Sequence, residues 1–374
     1  MALAWLLSRA LLWAFVWLGH FAHAASGTRL TTKLGGWEGV SSPLLNPWTT
    51  FDSRHFLDIA QGGYTPYRAA FFPLYPLLLR VLGGSGASQN TLALVGVVVS
   101  NCAFLLALGW LYALTRDEWG EGVARRALWL EAFFPAAAFG AAVYSESLFL
   151  ALSLGLFWFA RRKQWGLSAL CGVLAGLTRN SGPLLCLALL LDRPKNPLSP
   201  REKRGRLGAA LCPLGTFIAV QLAFFFGFGR VLASFASQSE FGRAKTFFAL
   251  PLWLDARNLA INPSTWLDFI TFPQLAACLG TFALIIAFWR RFSRGKLLFV
   301  GAIVLLNLSA SWTTEPHTNS TLRFLFATFP AVQLLALAGA LWFPSGRATL
   351  YLGTLWFTLF FLHSYLFGLR SFLG

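Results

Sequence analysis

Residues 165–191 read WGLSALCGVLAGLTRNSGPLLCLALLL, and how they cross a membrane decides the rest of the chain. As one helix, the stretch would bury Arg179 near the bilayer centre, at a cost of about 3 kcal/mol or more. As two short helices, about 165–178 and 183–191, it turns at Thr178-Arg179-Asn180-Ser181-Gly182-Pro183. Each half is too short to cross alone, so the turn is expected at membrane depth in a wet cavity lined by protein. A single helix would also throw the basic runs 192–206 and 290–296 outside, against the positive-inside rule. The broken pair is therefore the expected arrangement.

Composition makes the membrane setting necessary. The chain has 374 residues, of which 56% are hydrophobic and 12% charged, about half the charged share of a soluble domain. Its apolar residues fall in blocks of about 20, the length that crosses a hydrocarbon core of about 30 Å as a helix. A β-barrel would alternate apolar and polar residues, and these blocks do not. The composition equally excludes a disordered chain and a disulfide scaffold. Cys102, Cys171, Cys186, Cys212 and Cys278 all sit in apolar blocks without a CxxC pair and read as small buried hydrophobes. The first segment, about 3–24, ends in Ala22-His23-Ala24-Ala25, which resembles a signal-peptidase site. Its poor basic region, Arg9 alone, and its long apolar stretch favour a retained helix.

Spans are expected at about 3–24, 91–114, 127–144, 147–160, 165–178, 183–191, 207–228, 266–289, 297–312, 323–343 and 349–368, about eleven in all. The chain is thus a single all-α polytopic membrane domain over 1–374, with 25–90 as its first non-cytoplasmic loop. On a soluble domain a net charge of +16 would suggest a nucleic-acid partner. Here Arg116, Arg125, Arg126, Arg161, Arg162, Lys163, Arg193, Lys195, Arg201, Lys203, Arg204, Arg206, Arg290, Arg291, Arg294, Lys296 and Arg347 fall in short loops on one side. That side is cytoplasmic by the positive-inside rule, and no nucleic-acid partner is expected.

The motif-like polar segments then share the other face. They are Phe51-Asp52-Ser53-Arg54-His55-Phe56, Tyr144-Ser145-Glu146-Ser147, Thr178–Gly182, and Thr314-Glu315-Pro316-His317-Thr318-Asn319 leading to Arg323. Asp52 and His55 are three apart, so on a helix they share a face, which Asp58 continues. A partly desolvated carboxylate can serve as a general base; Asp52 fits equally a helix cap or an ion pair with Arg54 or Arg68. Nothing in the trio resembles a metal signature. Gly62-Gly63-Tyr64 and Ala70-Phe71-Phe72-Pro73-Leu74-Tyr75-Pro76-Leu77 follow, and two prolines three apart argue for a segment lying along the interface. It either holds a lipid substrate or seals the loop. Glu146, at the turn of two apolar spans, is costly unless paired or wet. Arg179 and Arg323 offer planar donor forks that match a phosphate, unless Glu146 merely neutralises one of them. Asn180 and His317 are hydroxyl or phosphate contacts, or His317 is an ordinary loop histidine.

The run Phe51–Ala60, followed by Gly63-Tyr64 and Ala70–Pro76, resembles the first luminal loop of the PIG-V family, GPI mannosyltransferase 2 and its bacterial relatives. Tyr144–Phe149 and Thr178–Gly182 look like two further stretches of that family, in the same order. The resemblance implies a GT-C-like bundle of helices that moves a sugar from a polyprenyl-phosphate carrier to an acceptor hydroxyl on the non-cytoplasmic face. In the family the sugar is mannose, and the new bond forms with inversion. By that analogy Asp52 is the general base, His55 orients the acceptor or contacts the phosphate, and Arg179 and Arg323 neutralise the leaving lipid phosphate. Arg54, Tyr64, Glu146, Asn180 and His317 complete the expected donor or acceptor contacts.

No resident cofactor is implied, and a divalent metal is left open. The expected partners are a polyprenyl-phosphate-linked sugar donor, a lipid or glycan acceptor and membrane lipids. Short loops favour a bacterial plasma membrane. The competing functions are a transporter or flippase of a lipid-linked or anionic substrate, and a non-catalytic subunit of a membrane complex.

Overall fold

The computed structural model describes residues 1–25, 39–194, 196–261, 270–313, 317–344 and 346–369. Lys195 of the expected basic run, Thr314, Glu315 and Pro316, and residues 26–38 of the first loop lie outside the described residues. In chain order the helices are α1 (Ala2–Ala25), α2 (Ser53–Gly62), α3 (Leu74–Gly83), α4 (Gln89–Trp119), α5 (Glu121–Ala132), α6 (Glu146–Arg161), α7 (Trp165–Gly176), α8 (Leu184–Leu191) and α9 (Pro200–Phe228). They continue with α10 (Ala233–Ala236), α11 (Ala249–Ile261), α12 (Thr271–Phe288), α13 (Arg294–Ser309), α14 (Thr321–Phe326), α15 (Phe329–Trp342) and α16 (Gly346–Gly368). Two three-residue strands, β1 (Arg243–Lys245) and β2 (Ala310–Trp312), pair antiparallel with Arg243 opposite Trp312. Among the described residues α1, α4, α9, α12 and α16 are long and apolar enough to cross a membrane. The expected all-α membrane architecture is therefore what the chain adopts.

Prolines account for the differences in detail. The continuous span expected over 127–144 is instead α5, ending at Ala132, then a short 3-10 turn at Ala137–Gly140 and irregular chain as far as Glu146. Pro135 cannot donate into a helix and pushes the residue before it out of the helical region. The span expected over 323–343 is likewise two helices, α14 and α15, with Pro330 in the first turn of the second, where a missing N–H costs nothing. The pair 165–191 is broken as expected: α7 ends at Gly176 and α8 starts at Leu184. In the first loop Pro73 stands at the N-cap of α3 and Pro76 lies in its first turn, so both prolines start a helix too short to cross.

By its internal contacts the chain divides into two compact units. The first comprises Met1–Tyr64, Phe71–Ala151 and Ala336–Leu373. Within it α1 lies along α16 so closely that a Cβ on Gly19 would strike the Tyr365 carbonyl oxygen, and one on Gly368 the Val16 carbonyl. Small residues permit this approach between apolar helices, whose association in lipid depends on such contacts. Phe15 fills the flank of the seam against Phe357, Phe360 and Phe361, with ring centroids 4.7 to 6.1 Å apart. The unit also buries an unusual pair: Arg9 of α1 and Glu131 of α5, whose side-chain nitrogens and oxygens make no hydrogen bonds, with the guanidinium 4.4 Å over the Phe104 ring.

The second unit comprises Thr65–Ala70 and Leu152–Leu335. There α7 lies against α9, where Gly172 and Gly176 meet Pro213. A Ser199–Glu202 capping box starts α9. The guanidinium of Arg206 donates to the carbonyls of Leu189, Leu190 and Asp192 at the C-terminal end of the short α8, where carbonyls run out of intrahelical donors.

Candidate functional site

Of the expected site residues, Asp52, Arg54, His55, Tyr64 and Glu146 belong to the first unit, and Arg179, Asn180, His317 and Arg323 to the second. Each set has its own local construction.

In the first unit the chain enters α2 through Phe51, a non-glycine residue at φ 55°. A side chain in that region costs about 1–3 kcal/mol and needs surrounding structure to hold it. Tyr144 supplies the hold. Its buried hydroxyl accepts the Asp52 backbone N–H at 3.1 Å and donates to the Thr50 carbonyl at 3.1 Å, so one phenol bridges both sides of the strained residue. Asp52 takes the N-cap position of α2, where its side chain makes no capping hydrogen bond, and Arg54 pairs with Asp58 at 3.9 Å. The carboxyl of Asp52 is half-buried at the mouth of the helix, with the His55 N–H donating to the Asp52 carbonyl at 3.0 Å. The pair therefore occupies one turn.

Two expected residues meet on Phe71. The His55 imidazole stacks on its ring at 4.7 Å and 23°, and the Tyr64 hydroxyl donates to its carbonyl at 2.6 Å. Burial raises the Tyr64 phenol above its ordinary pKa, so it stays a donor across the neutral range. Beneath them Phe56 packs on Phe71 and Tyr75, and Tyr75 reaches Ser100 at 2.8 Å, whose hydroxyl donates to the Tyr144 carbonyl at 3.0 Å. Glu146 is fully buried as the first residue of α6, where the positive end of the helix dipole favours a carboxylate. The stretch that carries Tyr144 and Glu146 is thus the one that fixes the entry to Asp52.

In the second unit Arg179 and Asn180 sit in the α7–α8 turn, Arg179 buried and Asn180 half-buried. The turn closes through the Gly182 N–H, which donates to the Arg179 carbonyl at 3.0 Å, and it is tight enough that a Cβ on Gly182 would lie 2.9 Å from the Gly176 Cα. The Arg179 guanidinium stands 5.3 Å over the ring of Phe324, the neighbour of buried Arg323 on α14. His317 turns its Nδ1 to the Trp312 carbonyl at 2.9 Å.

Two residues that the sequence did not single out organise this region. Arg243 of β1 stands over the same Phe324 ring at 5.6 Å and over Trp312 at 4.9 Å. It donates to Asn307 Oδ1, the Ala310 carbonyl and Ser320 Oγ at 3.3, 3.1 and 2.9 Å. Buried Asp255 accepts the N–H groups of His317 and Thr318 and the Thr318 hydroxyl at 2.6 to 2.9 Å, pinning the loop that leads to Arg323. A signal for Asp255 existed: it is the single acid in the largely apolar run 249–261. Among the described residues no group of three or more His, Cys, Asp and Glu side chains gathers as a metal site.

Residues 9–185 match the family model described as Mannosyltransferase (PIG-V), the family that the first-loop motif resembles. The chain is 33% identical over 230 residues to GPI alpha-1,6-mannosyltransferase 2 of Cricetulus griseus, an alignment covering 55% of this chain and 44% of that protein. The Mus musculus protein of the same description is 32% identical over 227 residues, covering 55% and 45%. The chain therefore spans a little under half the length of these curated relatives. A crystal structure of the Archaeoglobus fulgidus oligosaccharyltransferase aligns over 99% of this chain and 53% of its own at 13% identity, with a TM-score of 0.48.

Proposed function

We propose that this chain, whose residues 9–185 match the PIG-V mannosyltransferase family model, is an integral membrane glycosyltransferase that moves a hexose, mannose by family analogy, from a polyprenyl-phosphate carrier to an acceptor hydroxyl on the non-cytoplasmic face. The observation that carries the reading is the clamp at Phe51. Two stretches of the family pattern, Phe51–Ala60 and Tyr144–Phe149, are joined by one phenol at the residue before Asp52. A fold that maintains strain beside a half-buried carboxylate is preorganised for that carboxylate to act.

In the proposed reaction Asp52 accepts the proton of the acceptor hydroxyl. The acceptor oxygen then attacks the anomeric carbon from the face opposite the phosphate. The bond between that carbon and the phosphate oxygen breaks, its electron pair stays on the phosphate, and the configuration inverts. His55, held flat against Phe71, orients the acceptor, with Arg54, Tyr64 and Glu146 shaping its surroundings. Arg179 and Arg323 neutralise the charge that develops on the leaving lipid phosphate, and Asn180 and His317 contact donor or acceptor hydroxyls. The setting that fits short loops is a bacterial plasma membrane.

Purified Asp52→Asn is expected to fold and to lose transfer of labelled mannose from polyprenyl-phosphate mannose by about 100-fold or more, in the range of a general base. Full activity in that variant removes Asp52 from the role. Movement of the labelled lipid across proteoliposomes without any new glycosidic bond would assign the chain to transport instead.

A further inference from the structure

Three basic turns, far apart in sequence, meet within the second unit around the C-terminal end of α8. The α6–α7 turn reaches that end through Arg161, 3.4 Å from Asp192, and the start of α9 reaches it through Arg206 and its bonds to the Leu189, Leu190 and Asp192 carbonyls. The α12–α13 turn packs there as well: a Cβ on Gly295 would strike the Ala188 carbonyl oxygen and lie 2.8 Å from the Asp192 nitrogen. In sequence, residues 161–164, 192–206 and 289–296 contain thirteen basic residues and two acidic ones. Both acids are committed within the fold. Buried Asp192 pairs with Arg161, while Glu202 pairs with Lys163 at 2.7 Å and accepts the Ser199 N–H in the capping box of α9.

What is left over is exposed positive charge. Arg201, Lys203 and Arg204 at the start of α9, and Arg290, Arg291 and Arg294 around the α12–α13 turn, are exposed, and among the described residues none of the six makes a hydrogen bond or an ion pair. Their depth identifies the partner that neutralises them. Exposed Leu207 and Leu211 continue the Arg204 face of α9 three and seven residues on, exposed Leu298 follows Arg294 by four on α13, and exposed Ile286 and Trp289 lead into Arg290. The cations therefore stand about one helical turn, roughly 5 Å, beyond apolar side chains that face hydrocarbon. A bilayer's headgroup layer is about 5–8 Å deep on each side, so this is the level of the lipid phosphates. Exposed Trp289, where the apolar and basic stretches join, is a residue type that settles at the same level. A soluble acidic partner would have to displace that layer to reach these turns.

We propose that this end of the second unit is a binding surface for anionic phospholipid headgroups, whose phosphates are taken up by Arg201, Lys203 and Arg204 of α9 and by Arg290, Arg291 and Arg294 of the α12–α13 turn. Guanidinium forks match phosphate oxygens, and clustered cations beside a membrane span attract anionic lipid, each contributing about fivefold in affinity. The positive-inside rule explains why basic residues occur at this end; the packing around α8 explains why they act together, since three turns are held at one place and the only acids among them are used up. The surface is independent of the transfer reaction, so its failure leaves the proposed function standing.

The test uses the purified full chain in a neutral detergent and measures binding of tail-labelled phosphatidylglycerol and phosphatidylcholine with the same acyl chains. The wild type is expected to prefer phosphatidylglycerol by about tenfold or more at low salt and to lose most of that preference at about 1 M salt, where charges on the surface are screened beyond about 3 Å. R201Q/K203Q/R204Q and R290Q/R291Q/R294Q should each lose about 10- to 100-fold of affinity for phosphatidylglycerol, with phosphatidylcholine binding within twofold of the wild type. R116Q/R125Q/R347Q removes the same charge from exposed positions of the first unit and should change neither affinity by more than about threefold. A wild type without preference for the anionic lipid overturns the proposal. So does an equal loss in all three triple variants, because the attraction would then belong to net charge and not to this surface. If one triple variant of the surface does not fold, the other carries the test, and an undiminished preference in it overturns the proposal. If neither folds, R204Q and R294Q replace them with an expected loss of about fivefold each, and unchanged affinity in both overturns it.

Discussion

Replacing Tyr144 with Phe removes one oxygen atom and keeps the ring. The ring's contacts with Phe139 at 5.2 Å and Phe56 at 6.4 Å survive, so no cavity forms. What disappears is the bridge between the Thr50 carbonyl and the Asp52 N–H. Two hydrogen bonds of about 1 kcal/mol each are lost, and leaving their partners unsatisfied adds about 1–3 kcal/mol for each one that stays buried. The sum, about 2 kcal/mol if both partners reach water and up to about 8 kcal/mol if both stay buried, matches or exceeds the roughly 1–3 kcal/mol of strain stored at Phe51, φ 55°. Without the bridge Phe51 is expected to relax toward negative φ, carrying Asp52 with it. Displacement of a reacting group by about 1 Å costs up to about 100-fold in rate. Y144F should therefore lower kcat for hexose transfer by about 10- to 100-fold, with donor KM changed less than threefold and the melting temperature modestly reduced. A kcat within twofold of the wild type would refute the clamp, and unfolding of the whole chain would show that Tyr144 is a core residue first.

Gly182→Ala tests the turn that carries Arg179. Its Cβ would press on the Gly176 Cα at 2.9 Å and the Arg179 and Ala175 carbonyls at 3.1 and 3.2 Å, so donor binding should weaken by about tenfold or more, and an unchanged donor KM would count against a fixed Arg179. Asp255→Ala leaves two N–H groups and a hydroxyl at the 317–318 loop without their acceptor, which should cost about 3 kcal/mol or more of stability in thermal denaturation; Asp255→Asn, which keeps one acceptor oxygen, should cost less. For the buried pair Arg9 and Glu131, R9L and E131L should each destabilise by about 3–5 kcal/mol, since each leaves a buried charge, while R9L/E131L should return to near wild-type stability. Additive losses in that double variant would mean that the two groups are not coupled.

The spans were legible wherever the chain is continuously apolar, as in α1, α4, α9, α12 and α16, because hydropathy over a window is a direct reading of lipid solubility. It failed at Phe133-Phe134-Pro135 and at Phe329-Pro330, where apolar residues continue but the hydrogen-bond ladder cannot. The break within 165–191 was legible for a different reason. An arginine in the middle of an apolar run has few tolerable positions, and Arg179 takes one of them, a turn with an aromatic ring beneath it.

The two sets of candidate residues differ in legibility for a similar physical reason. Asp52 and His55 lie within one turn, so sequence spacing already describes their geometry. Arg243 makes its contacts with Trp312, Ser320 and Phe324 through strand pairing and the α13–α14 connection, and no local pattern encodes that. Its segment has neither a long apolar run nor a motif, so the hydropathy that organised everything else had nothing to read there. The more general signal is scarcity. With 14 acidic residues in 374, a carboxylate in an apolar run is costly to bury, so Asp255 and Glu131 stand out on the same grounds as Glu146. Asp255 holds the 317–318 loop with all three of its hydrogen bonds, whereas Glu131 faces Arg9 with none. The same scarcity thus marks one acid whose loss should disturb a loop and another whose loss should matter only while its arginine remains.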